Sequence, residues 1–209
     1  MKSKLLLIIL ALALPAVAGT STYQSTSAPA APSQPSLWSW FIGGSAGYLI
    51  DAEAAFYSGH VGVDTPWSIG GWSVAMLAEV GYFEADNIQY SRPGQPLLNT
   101  TVETDALPVT FGLKFERPLS GNLSAYVGGN LGAAFLDMTA TRNATGNSIS
   151  ENSAVFTASV FAGLVYNVSP SFEIFGGARW IYFDDTDIGG WKVDLGDDVL
   201  LEGGLRFNF

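Results

Sequence analysis

The chain has no cysteine and a single histidine, and only 13% of its 209 residues are charged, with 9 Lys and Arg against 19 Asp and Glu. The missing cysteine excludes a disulfide framework and any thiolate metal centre. The shortage of basic residues leaves a formal net charge of −10. It excludes nucleic-acid binding, which needs a Lys/Arg-rich face to displace counterions from phosphate. Low charge of either sign has a further consequence, because a water-soluble domain usually carries about a quarter of its residues as charged side chains. Something other than water must cover part of this surface. Beyond the first twenty residues no run reaches the roughly 18 consecutive apolar residues of a membrane-spanning helix, so helical insertion is excluded too.

What the chain does have begins with a targeting segment. Lys2 and Lys4, the apolar run from Leu5 to Leu14 and the small residues Ala16, Val17 and Ala18 describe a secretory signal peptide, with the cut placed after Ala18. Residues 19–37 are rich in Ser, Thr, Ala and Pro and cannot bury enough apolar surface to offset chain entropy, so they read as a flexible spacer. Residues 38–209 hold the folded domain.

From Trp38 onward the hydropathy pattern has period two, the mark of β-strands with chemically different faces, and it recurs eight times. In the first strand Trp40, Ile42, Ala46 and Tyr48 share one face, with Phe41, Gly43, Ser45 and Gly47 on the other. The third sets Trp72, Val74, Met76, Ala78, Val80 and Tyr82 against Ser73, Ala75, Leu77, Glu79 and Gly81. The eighth is cleanest, with Val199, Leu201, Leu205, Phe207 and Phe209 against Leu200, Glu202, Gly204, Arg206 and Asn208. The second, from Tyr57 to Asp64, is weakest. A soluble eight-stranded barrel also alternates, with its apolar set inside. Its other face would meet water and carry many Lys and Glu; here that face is Gly, Ser, Thr and isolated charges. Such a face fits a narrow lumen, which turns the apolar set toward lipid. The expected fold is all-β: an eight-stranded antiparallel up-and-down transmembrane β-barrel.

Spacing agrees. Trp72 and Tyr82, Phe156 and Tyr166, and Phe172 and Tyr182 are separated by ten positions each, which keeps each pair on one face. At about 3.3 Å per residue and a tilt near 40°, that span rises roughly 25 Å, the height of the apolar band between two aromatic girdles. Short turns near Pro66 to Gly70, Arg117 to Asn122 and Val168 to Ser171 alternate with connections of which three are long. Short turns on a periplasmic rim and long loops on an extracellular one complete the expected topology.

The last residues, EGGLRFNF, place a polar residue, a glycine two positions on and two aromatic residues at Glu202, Gly204, Phe207 and Phe209. They resemble the C-terminal assembly signal of bacterial outer-membrane proteins. With the signal peptide and the eight strands, residues 38–209 resemble the small eight-stranded outer-membrane β-barrel family that includes the OmpA membrane domain and the OmpX-type proteins. The resemblance implies residence in the cell outer membrane of a Gram-negative-type bacterium, contact with outer-membrane lipid and insertion by the barrel-assembly machinery. This chain ends at the eighth strand, so it is expected to lack the peptidoglycan-binding domain that follows the barrel in OmpA-like proteins.

On this register Glu79, Glu173 and Glu202 point inward with Lys114, Arg179, Arg206 and His60. Unpaired charges are costly at low dielectric, so three acids and three bases predict a paired network that plugs the lumen. Phe41, Phe56, Leu77, Tyr126, Phe161 and Phe175 also point in, and glycines make room for them. The functional reading is a non-enzymatic barrel that supports the envelope or presents acidic loops to a surface partner, a monomer without cofactor. Its alternatives are a narrow small-molecule channel and a lipid A-modifying esterase. Ser58 and His60 share a strand face as such an esterase would require, but that face is the lumen one. Loop carboxylates at Asp184, Asp185 and Asp187 are weak candidates for Ca²⁺ or Mg²⁺, whose hard oxygen ligands they resemble, although no EF-hand spacing is present.

Overall fold

The computed structural model describes residues 38–86, 100–142, 148–188, 191–193 and 196–209. The segments read as signal peptide and spacer lie outside the described residues. Among the described residues ten strands run in chain order: β1 (Ser39–Leu49), β2 (Ala54–Ile69), β3 (Trp72–Asp86), β4 (Thr100–Ser120), β5 (Leu123–Arg142), β6 (Ser148–Ser169), β7 (Phe172–Phe183), β8 (Thr186–Ile188), β9 (Trp191–Val193) and β10 (Asp197–Asn208). Eight of them close a barrel in the order β1-β10-β7-β6-β5-β4-β3-β2, while β8 and β9 form a separate small hairpin within the last long connection. Every barrel neighbour is antiparallel. The seam between β1 and β10 is sealed to its end: Trp40 N donates to Phe209 O at 3.1 Å and Phe209 N to Trp40 O at 2.9 Å. Among the described residues no helix is long and apolar enough to cross a membrane.

Side-chain exposure follows strand parity. Phe111 is 67% exposed and Leu131 64%, and Ile42, Val80, Val127, Val160, Leu201 and Leu205 are exposed beside them, whereas Glu79, Glu173, Arg179, Glu202 and Arg206 are buried. This is the reverse of a water-soluble protein. A wall of exposed apolar side chains around a polar interior is what a lipid solvent selects.

The strands are longer than the apolar alternation, and the reasons are local. β2 continues through Pro66 to Ile69 where the sequence suggests a turn, and the register to β3 shifts between Asp64 and Ser68. Proline has no N–H for the ladder, so it sits at an irregularity where none is needed. The Thr65 side chain substitutes there, its Oγ1 donating to Val74 O at 2.7 Å and accepting from Trp67 N at 3.3 Å. The reversal itself falls on Gly70 and Gly71, with φ of 59° and 83°, the left-handed pair of a tight hairpin turn. At the loop end, β5 runs to Arg142 and β6 starts at Ser148, inside what the sequence suggests is a long loop. Their backbone ladder outlasts the lipid-facing pattern, and Thr139 and Ser150 bond across it at 3.1 Å.

Leu131 pairs with Phe111, which in turn pairs with Ala78 midway between Trp72 and Tyr82. Leu131→Arg is therefore expected to lower folding stability in lipid vesicles by about 2–4 kcal/mol, as a cation at the bilayer midplane does. Ser150→Arg, outside the apolar band, is expected to change it by less than about 0.5 kcal/mol. Denaturant titration of vesicle-inserted protein measures both.

Candidate functional site

The candidate site is the lumen, and strand parity builds it. Arg179 on β7 lies between two carboxylates brought by other strands. Its Nε donates to Glu202 Oε1 at 3.1 Å and its Nη2 to the same oxygen at 3.0 Å, while Glu79 is gripped through Nη1 and, at 3.0 Å, through Nη2. Such two-pronged pairing uses the planar guanidinium fork. The guanidinium carbon lies 5.1 Å from the centre of the Phe161 ring. Ser45 extends the network by donating to Glu202 Oε2 at 3.0 Å, and its own hydroxyl is 2.9 Å from that of Ser58.

A second cluster lies toward the short-turn end. Arg206 and Glu173 are directly opposed in the β7–β10 register and bonded, Nη2 to Oε1 at 2.8 Å. Asn208 Nδ2 donates to the same carboxylate oxygen at 2.7 Å. Lys114 pairs with Glu116 at 3.0 Å, and Arg206 lies 3.6 Å from Glu116 and 3.9 Å from Asp64. Asp64 and Glu116 are additions to the sequence reading. β4 persists past Arg117, which keeps Glu116 on the inward parity of Lys114, and Asp64 stands just before the β2 irregularity. Counting three acids against three bases is therefore corrected: five carboxylates, Asp64, Glu79, Glu116, Glu173 and Glu202, face Lys114, Arg179 and Arg206.

His60 meets the rings of Phe41 and Phe175 at centroid distances of 6.1 and 5.7 Å. It lies over Gly43, where a Cβ would collide with its ring. Ser58 is engaged with Ser45, and both Ser58 and His60 face the interior, away from any lipid substrate. The two ionic clusters and His60 border a cavity of about 50 Å³. That is room for a few water molecules.

Beyond Arg179, toward the loop end, the interior changes character. Leu49, Phe56, Phe83, Ala106, Leu136, Val155, Phe183 and Leu200, one from each barrel strand in chain order, belong to a single buried apolar cluster. Met138 and Leu200 in it are 0% exposed. The sequence analysis places Phe56 and Leu200 of this ring at inward parity but does not gather the ring as a unit. Its signal was present: large apolar residues at inward parity past the aromatic belt, Phe83 after Tyr82 and Phe183 after Tyr182.

The remaining candidates are scattered. Of the C-terminal pattern, Glu202 and Gly204 point inward, Gly204 beneath Phe175, whereas Phe207 and Phe209 are exposed. Asp184 Oδ1 accepts from Asp185 N at 3.0 Å, and Asp187 pairs through its backbone with Lys192 in the small hairpin. Among the described residues no group of three or more His, Asp or Glu side chains is arranged to hold a metal ion. Loop-end acids serve neighbouring structure instead: Asp197 accepts from Trp180 Nε1 at 2.6 Å, Asp105 from Tyr82 Oη at 2.9 Å, and the Asp198 carboxylate caps Asp51 N and Ala52 N at 2.9 Å each.

No protein-family model matches the chain, and no curated protein matches it in sequence. Solved structures do match in fold. A major outer-membrane protein of Thermus thermophilus superposes with a TM-score of 0.60 at 13% identity, over 83% of this chain and all of that one (100%). Neisserial surface protein A matches with a TM-score of 0.46 at 14% identity, over 82% of this chain and 97% of that one. The N-terminal barrel domain of Pseudomonas aeruginosa OprF matches with a TM-score of 0.44 at 16% identity, over 82% and 97%. The first of these carries the structural argument: the chain has the fold of a small transmembrane β-barrel.

Arg179 is the hub of one ionic cluster and is itself buried. Arg179→Ala leaves Glu79 and Glu202 facing each other without a cation, and is expected to cost about 3–5 kcal/mol of stability in lipid vesicles. Removing the two carboxylate charges as well, with Glu79→Gln and Glu202→Gln, is expected to recover part of that loss. An Arg179→Ala barrel as stable as the parent would show that the cluster is solvated rather than paired.

Proposed function

We propose that the protein is a non-enzymatic integral protein of the outer membrane of a Gram-negative-type bacterium, exported after removal of residues 1–18. Its lumen is plugged, and it acts through its envelope: it supports the membrane as a rigid monomeric cylinder and presents acidic extracellular loops to a surface partner. One observation carries the reading, the apolar and exposed outer wall set against a filled, ion-paired interior. A wall of that kind needs acyl chains around it, which makes outer-membrane lipid the first partner. The aromatic C-terminal residues Phe207 and Phe209 lie exposed on the same wall, where the barrel-assembly machinery would read them.

The interior supports the non-enzymatic part. Ser58 and His60 lie behind the wall, and the cavity that His60 borders has room for only a few waters. An esterase acting on membrane lipid needs its nucleophile and base at the bilayer surface, with an orienting carboxylate and an oxyanion site. The same filled cross-section speaks against a channel.

Cell fractionation with electrophoresis tests the placement. The protein is expected in the outer-membrane fraction, starting at Gly19 by N-terminal sequencing, and migrating faster unboiled than boiled because the closed barrel resists detergent. A soluble periplasmic protein of unchanged mobility would overturn the reading.

A further inference from the structure

Within the barrel, ionic and apolar side chains are segregated along the axis rather than mixed. The ionic residues nearest the short turns reach solvent, since the Asp64 and Glu116 side chains are 24% and 15% exposed. Glu79, Arg179 and Glu202 lie deeper, next to the small cavity. Past them comes the apolar ring, in which Leu49, Leu136, Met138 and Leu200 are at most 3% exposed and Phe83 packs on Phe183 with ring centroids 5.6 Å apart. The two ends of the lumen thus differ in chemistry.

We infer that the lumen is a blind pocket, which water and small monovalent cations enter from the turn end, and that the apolar ring at the loop end is the barrier to passage. The inference rests on the plugged-barrel reading and adds where the plug lies. Ion pairs do not stop water or ions, because a charged group can replace part of a hydration shell. In the loop-end cross-section packed apolar side chains predominate, and the buried polar residues beside them include Thr104, Thr157, whose hydroxyl donates to Tyr182 O, and Asp198, whose carboxylate accepts from Asp51 N and Ala52 N. Such a section offers little replacement for a hydration shell and excludes ions by dewetting. The sign of the admitted ion follows from the charge excess, since Asp64, Glu79, Glu116, Glu173 and Glu202 outnumber Lys114, Arg179 and Arg206.

The chain has no cysteine, so Ser45→Cys places one thiol beside the cavity. Silver ion, a small thiol-reactive cation, is added to one side of vesicles in which protease cleavage of the loops has established a single orientation. Mass spectrometry then reads the silver adduct. Reaction is expected from the turn side at least about ten times faster than from the loop side. Equal reaction from both sides, faster reaction from the loop side, or reaction from neither would overturn the inference. In planar bilayers the parent is expected to be silent. Phe83→Ser combined with Phe183→Ser is expected to raise conductance at least about tenfold over that baseline, with cations favoured over anions. Should the double variant lose its folded mobility on gels, Met138→Ser takes its place. A folded variant that stays silent would overturn the inference. A conducting parent would instead defeat the plugged-barrel reading beneath it.

Discussion

In a bilayer no water is present to satisfy a peptide N–H or C=O, and this constraint governs the architecture. A sheet can meet it only by closing on itself, because an open edge would leave a row of unpaired groups in hydrocarbon. The β1–β10 pairing supplies that closure from Phe41 and Asn208 to Leu49 and Leu200, and the exchange between Trp40 and Phe209 extends it to the last residue. Once the cylinder is closed, strand parity divides the side chains of the membrane-spanning stretch between acyl chains and lumen. The exposed Phe111, Leu131 and Leu205 and the buried Glu79, Arg179 and Arg206 are two consequences of one geometry.

The lumen then has to be filled at a width set by eight strands. Large rings enter where a neighbouring strand offers a glycine: Phe41 lies on Gly62, Phe161 on Gly128, and Tyr126 against Gly163 and Gly177. The remaining space is divided between ions and hydrocarbon. Buried ion pairs are weak contributors to net stability but costly to break, so clusters centred on Arg179 and Arg206 tie distant strands into one unit. Arg179 joins β7 to β3 and β10, and Arg206 joins β10 to β7, β2 and β4. The apolar ring fills the interior at the loop end.

Most of the architecture was legible in the chain because period-two alternation and the scarcity of charge report directly on a wall with lipid on one side. The inward placement of Glu79, Glu173, Arg179, Glu202 and Arg206 follows from parity alone. Their partners do not, because shear around the barrel decides which residues meet, and pairs such as Arg179 with Glu79 lie far apart in sequence. Glu116 was hidden for a related reason: Pro118 suggests that the strand stops, whereas the ladder carries on past the irregularity. Asp64 stands at inward parity at the very end of the second and weakest alternating run. The loop-end strand extensions and the apolar ring lie where the lipid-facing pattern has ended, so alternation no longer marks them.

The inside-out assignment of the two faces underlies the whole account, and nitroxide labels test it most directly. Labels at Val127, Val160 and Leu205 in bilayer-inserted protein are predicted to relax with lipid-soluble oxygen and to be shielded from a water-soluble nickel chelate. Relaxation by the chelate at those three positions, with shielding from oxygen, would contradict it.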